Sequence, residues 1–377
     1  MKKKLTLNNP HTRFNLSGDR DMFHRIAADM IKNGGELAPS NHWNWNLGHG
    51  SNKDMKLSGY TDELFIEKYS QLEMMLNPWI GVTGMKSISA DVVAKYERFL
   101  RDIDHLGLLP DDVLSHGLAN DWRETDLGSV MDTNLISAFF HGHPSRKITI
   151  CEVGGGYGRL AEVLIGVLSG SVHYVLVDAV PGSLMYAYMY LKRQLPHLKI
   201  GSYYQGDSYS NEYDCYIMPA WQVQQLPEAA FDICINIESM QEMEQYHVDY
   251  YLALFDRLLV VKGLIYLSNA RDYVFSGEWN IPDNWEVLFF NNTPRSWTAD
   301  HPTQVFRKRS GNFSKMRLIF EGLFNQQIAA WKDRQLINQL KLHIVDRDRI
   351  CNELKLEISR LTVQIENSHG QKARIVE

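Results

Sequence analysis

The chain has 377 residues, enough for one large domain or for one domain with substantial additions. Hydrophobic residues make up 44% of it and charged residues 22%, the ordinary balance of a globular protein. A formal net charge of -6 leaves no basic footprint for nucleic acid, and no run approaches the roughly 20 apolar residues of a membrane span.

Met1-Lys2-Lys3-Lys4 is followed by polar residues, not by the apolar core of a signal peptide. Four cysteines (Cys151, Cys215, Cys234, Cys351) lie far apart with no C-x-x-C pair, and three of them sit in apolar runs where a thiol behaves as a small hydrophobe. Both features predict a cytoplasmic protein. The fourteen histidines, His141, His143 and His301 among them, form no ligand set that indicates a metal.

Residues 1–145 read as short amphipathic helices, at 19–32, 61–76 and 90–106, joined by turn-rich loops: a helical N-terminal cap carrying the substrate region. Within it, His42, Trp43 and Trp45 are either an aromatic platform for a ligand face or a plug between cap and core. Residues 146–325 change character. Apolar runs at 148–153, 174–177, 232–237 and 264–267 have the continuous hydrophobicity of parallel strands covered on both faces, and Phe289, Val305 and Phe306 fall in closing strands. Helical segments at 159–168, 182–194 and 245–259 alternate with them, which predicts a doubly wound α/β sheet. Residues 326–377 carry Ile337, Ile344, Cys351, Ile358 and Ile365 seven apart. Leu340, Arg347, Leu354 and Leu361 form a second such series. Ile-rich a and Leu-rich d positions favour a parallel two-stranded coiled coil, hence a homo-oligomer, with Arg347 the misfit. A single amphipathic helix is the simpler alternative.

The most informative stretch joins the first strand to the first helix: Glu152-Val153-Gly154-Gly155-Gly156-Tyr157-Gly158-Arg159-Leu160. Gly154, Gly156 and Gly158 let the backbone turn sharply and approach a ligand without Cβ atoms between, while the helix aims N–H groups at it. Nicotinamide and flavin enzymes use such turns too. Glu152, however, places a carboxylate at the end of an apolar strand, where a charge is costly unless it meets a cation such as the ammonium of a methionine-derived methyl donor. A dinucleotide fingerprint starting at Gly154 would also put Arg159 where a glycine or alanine is wanted. Asp178 ends the second strand, twenty residues beyond Gly158, where an acid can accept the hydroxyls of a ribose; capping the next helix is its simpler role. For adenine, Trp221 competes with Asp207, and a place in the core is an equal alternative for the indole. The strand at 232–237 runs into Asn236, Glu238, Ser239, Gln241 and Glu242, beyond the carboxyl end where α/β chemistry occurs. A hydroxyl acceptor there would need its proton taken, with Glu242 the first candidate, then Glu238 and His247; each has a purely structural alternative.

These residues resemble the donor motifs of class I S-adenosylmethionine-dependent methyltransferases. Together with Asn236-Ile237-Glu238-Ser239-Met240-Gln241-Glu242-Met243 they resemble the sugar O-methyltransferases of bacterial polysaccharide assembly, over residues 148–308 with a looser echo near 124–128. The resemblance implies a Rossmann-like seven-stranded mixed sheet, S-adenosylmethionine as cofactor, and a glycan or nucleotide-sugar acceptor of O-antigen or capsule type. It also implies an architecture in which a coiled-coil stalk oligomerises chain-terminating catalytic domains, with a peripheral station at the inner face of the membrane in a glycan-assembly complex. A methyltransferase for a small non-sugar metabolite, a non-catalytic scaffold and a nicotinamide oxidoreductase are the alternatives the residues leave open.

Overall fold

A computed structural model describes residues 19–39, 98, 102, 106, 124–140, 146–168, 172–269, 279–293 and 301–311. The chain divides into two compact units, Met1–Ser314 and Lys315–Glu377. The second, with the expected coiled coil, lies outside the described residues, as do Trp43, Trp45 and the helix expected at 61–76.

The first unit is built on one eight-stranded sheet in the order β3-β4-β2-β1-β5-β6-β8-β7. The strands are β1 (Ile148–Val153), β2 (Val172–Asp178), β3 (Ile200–Ser202), β4 (Cys215–Pro219), β5 (Phe231–Ile237), β6 (Leu259–Ser268), β7 (Trp285–Thr293) and β8 (His301–Lys308). β1 to β6 pair in parallel, whereas β8 runs antiparallel to both β6 and β7. The sheet is therefore mixed and Rossmann-like, with eight strands where seven were expected. The addition is β3, a three-residue edge strand beside β4, too short to register as an apolar run.

The helices are α1 (Asp19–Asn33), α2 (Glu124–Phe139), α3 (Arg159–Val167), α4 (Pro181–Gln194) and α5 (Gln245–Leu258). Alternate residues of each central strand feed two separate cores, as a period of two requires. Ile150, Tyr174, Leu176, Ile235 and Tyr266 pack with α1 to α4, and Cys151, Val153, Val175, Val177, Cys234 and Ile265 pack with α5. Coverage on both faces explains why these strands read as unbroken apolar runs. Cys151, Cys215 and Cys234 are free and buried in them.

α2 has no strong apolar stripe because its middle, Ser129 to Asn134, is buried on every side, polar residues included. From β1 the chain moves outward to β2 through α3, and it later returns to the opposite side of β1 as β5. The carboxyl ends of β1 and β5 thus flank the point where the winding reverses, where such sheets open a crevice.

Candidate functional site

The loop after β1 is bent by Gly154, Gly156 and Gly158, with φ of 76°, 53° and 88°, a region that L side chains avoid. Its crowding differs from position to position. A Cβ on Gly154 would lie 2.0 Å from Ser239 Oγ, and one on Gly158 would lie 2.9 Å from Leu191. At Gly156 a Cβ would meet nothing within 4 Å, so the loop turns an open face outward there. The amides of Gly154 and Gly155 both donate to the Val177 carbonyl at the end of β2.

Two buried carboxylates border this loop. Glu152 is 4% exposed, and its Oε2 accepts a 2.8 Å hydrogen bond from the Tyr174 hydroxyl. Burial pushes its pKa up to about 7; the Tyr174 hydrogen bond opposes this, and the nearby Asp178 and Asp132 carboxylates add to it. Asp178 ends β2, with Oδ1 accepting from Val180 N at 2.8 Å and Oδ2 from Gly156 N at 3.0 Å. Burial raises it to about 6 against the pull of the Val180, Gly156 and Ala179 amides. Among the described residues neither acid pairs with a lysine or arginine. Buried acids with no cation beside them among the described residues, next to an open glycine turn, have the chemistry that a cationic, hydroxyl-bearing molecule would satisfy.

The residues after β5 divide into scaffold and rim. Asn236 is fully buried and spent on the protein: Nδ2 donates to the Val153 carbonyl at 2.8 Å, while Oδ1 accepts from Met240 N and from Asn269 Nδ2. It ties together the tips of β1, β5 and β6. Glu238, half-buried, is held at φ 54° by a 2.9 Å bond from its amide to the Ser268 carbonyl. Of the other described non-glycine residues with positive φ, Ala229 precedes β5 and Lys262 lies in the first half of β6, so among the described residues backbone strain at the carboxyl edge falls on Glu238. Glu242 closes the short 3-10 turn Met240–Glu242 and is also half-buried.

His247 is placed differently from a free proton acceptor. It is 3% exposed, Nδ1 faces the Glu244 carboxylate at 2.9 Å, and Nε2 donates to the Glu36 carbonyl at 2.6 Å. It fastens the 3-10 turn Gly35–Leu37 onto α5. Beside it Tyr246, 51% exposed, lays its ring over the imidazole with centroids 4.0 Å apart. Trp221 also turns to the N-terminal segment: its indole N–H donates to Asp29 Oδ2 at 2.7 Å, and Tyr204 donates to the same oxygen at 3.1 Å. Asp207 accepts from Ser202 N and works at the sheet edge.

The sequence thus brought Glu152, Gly154, Gly156, Gly158 and Asp178 to one place. It missed Tyr174, Asp132 and Asn269. Tyr174 stands inside an apolar run, and only the β1–β2 register, Tyr174 opposite Ile150, brings it to Glu152. Among the described residues no three His, Cys, Asp or Glu side chains group to hold a metal ion, and no helix is long and apolar enough to cross a membrane.

No protein-family model matches the chain, and none of the curated proteins does. Solved structures resemble it distantly. They include the O-methyltransferase TomG from Streptomyces achromogenes, involved in tomaymycin synthesis and solved with SAM (13% identity, 58% of this chain and 91% of that one, TM-score 0.35). The CurJ carbon methyltransferase (12%, 77% and 92%, 0.34) and a SAM-dependent methyltransferase from Aquifex aeolicus (10%, 56% and 98%, 0.33) are similar to the same extent. Likeness this remote says nothing of what the chain binds.

Proposed function

We propose that the chain is an S-adenosylmethionine-dependent methyltransferase whose acceptor is a sugar hydroxyl of a surface glycan or its nucleotide-sugar precursor. The observation that carries the donor assignment is the pair of buried acids at the tips of β1 and β2 around the open face of Gly156. Glu152 would hold the ammonium and Asp178 the ribose hydroxyls, with the glycine loop admitting the chain between them. When bound, the donor supplies a sulfonium methyl group, already activated for displacement.

What remains for the protein is to orient a hydroxyl and accept its proton. We assign that role to Glu242 first and Glu238 second, the carboxylates that follow β5. The exposed ring of Tyr246, in the first turn of α5, offers an apolar face to a pyranose, and that supports the sugar class. Oligomerisation through residues 326–377 and a place beside a glycan-assembly complex belong to the same reading.

Calorimetry with S-adenosylhomocysteine, run beside Gly156→Arg and NADH, tests the donor. Micromolar binding that the variant loses, without NADH binding, supports it; a folded sample that binds no S-adenosylhomocysteine overturns it. Transfer of labelled methyl to a panel of glycan acceptors, slowed by Tyr246→Ala, tests the acceptor.

A further inference from the structure

We propose that Glu152 and Tyr174 form a proton-linked seat for the donor's ammonium group. A proton resides on Glu152 in the empty site, the arriving cation displaces it to solvent, and Tyr174 is the positioning residue that aims the carboxylate. The inference rests on the proposed donor and goes beyond it in assigning a proton stoichiometry and a role to a residue of β2.

The geometry argues for it. The Glu152 carboxyl is almost wholly buried, and among the described residues its hydrogen-bond partner is the Tyr174 hydroxyl. Among the described residues, the ionisable groups that act on it or feel it are Tyr174 and Asp178 from β2, Asp132 from α2 and Cys215 from β4. Cys151 precedes it on its own strand. Every one of these is neutral or negative when it titrates, and none supplies a positive charge. A carboxylate so placed sheds its charge by taking a proton, and an incoming ammonium reverses that. The upward shift of Glu152 to about 7 agrees with this arrangement.

The exchange balances without another reactant. Glu152 in its acid form and a ligand ammonium give the carboxylate–ammonium pair and one proton in solvent. Only the O–H bond of the acid breaks. The Tyr174 hydroxyl is pushed well above its ordinary value by burial and by Glu152, so it stays a donor and favours the carboxylate form. A glycine three residues after Glu152 has a related reason: a Cβ on Gly155 would lie 2.9 Å from Glu152 Oε2, the oxygen that Tyr174 holds.

The test is calorimetry of S-adenosylhomocysteine with the full chain, in two buffers of equal pH and different ionisation enthalpy, from about pH 6 to about pH 8. The expected share of Glu152 in the proton release is near 0.9 at about pH 6, about half at pH 7 and roughly 0.1 at pH 8, weakening affinity about tenfold at the acid end, with the contribution of Asp178 added nearer pH 6. Glu152→Gln abolishes that release and leaves only the dependence that Asp178 imposes nearer pH 6. Tyr174→Phe moves the midpoint of release upward by about one pH unit, the worth of one hydrogen bond to a carboxylate. A Tyr174 that only fills space would weaken binding equally at every pH, which overturns its positioning role. Binding with identical heats in both buffers and no pH dependence overturns the proton linkage while sparing the donor. A folded chain that binds no S-adenosylhomocysteine overturns the donor and, with it, the linkage.

Discussion

Gly154 and Ser239 meet across the switch point: a Cβ added to Gly154 would fall 2.0 Å from Ser239 Oγ and 2.4 Å from Ser239 Cβ. Ser239 cannot swing away freely, because its hydroxyl is bonded to Asn236 Nδ2 at 2.6 Å and Asn236 is locked to β1. Gly154→Ala should therefore destabilise the fold by about 2–4 kcal/mol, combining overpacking with a left-handed φ. Gly156→Ala meets no atom and should cost only about 1–2 kcal/mol of strain, yet weaken S-adenosylhomocysteine binding by obstructing the open face. Urea melts and calorimetry separate the two. Adding Ser239→Gly to Gly154→Ala should recover part of the loss, and a double-mutant cycle without such coupling would refute the contact.

Asp29 fastens α1 to the sheet edge by accepting from both Trp221 and Tyr204, while Met22, Phe23, Ile26 and Met30 bury the helix's apolar side in the core. Removing the acceptor strands two partly buried donors. Asp29→Ala should cost about 1–3 kcal/mol, and amide exchange in residues 19–39 should quicken while β1 and β2 stay protected. Unchanged protection in 19–39 would show that apolar packing alone holds the helix.

How much of this was legible in the sequence follows from the kind of signal each residue carries. Glu152, the glycine loop and Asp178 were readable because a carboxylate at the end of an apolar strand and glycines at a strand–helix junction have few cheap explanations. Central strands were readable because burial on both faces erases polar alternation. The same burial hid α2, whose Asp132, Thr133 and Asn134 are as enclosed as its Met131 and Ile136, leaving no stripe to detect. Trp221 and His247 had the right chemistry for a ligand, but their partners, Asp29 and the Glu36 carbonyl, lie 192 and 211 residues away, and nothing local announces such a contact. Asn236 sat where expected and proved to be spent on the strand tips, a distinction made only by the register of β1, β5 and β6.

Glu152 also governs stability. Its folded-state value lies above the ordinary 4.5, so the stability it contributes is present below pH 4.5 and is lost as pH rises through about 7. The ligand-free protein is thus carrying a buried, uncompensated charge in mildly alkaline solution, at a cost on the order of a few kcal/mol. Glutamine has the same shape, still accepts from Tyr174, and never ionises. Glu152→Gln should then melt several degrees higher than the parent at about pH 8 and close to it at about pH 5, where the parent's carboxyl is already protonated. The same variant should lose most of its affinity for S-adenosylhomocysteine, since a neutral amide cannot balance an ammonium. A gain in thermal stability at pH 8 with lost binding is the signature of a group kept for its ligand and against its fold. Equal melting temperatures at both pH values would mean that the carboxyl is ionised and compensated in the empty site, and scanning calorimetry of the two proteins across that range decides it.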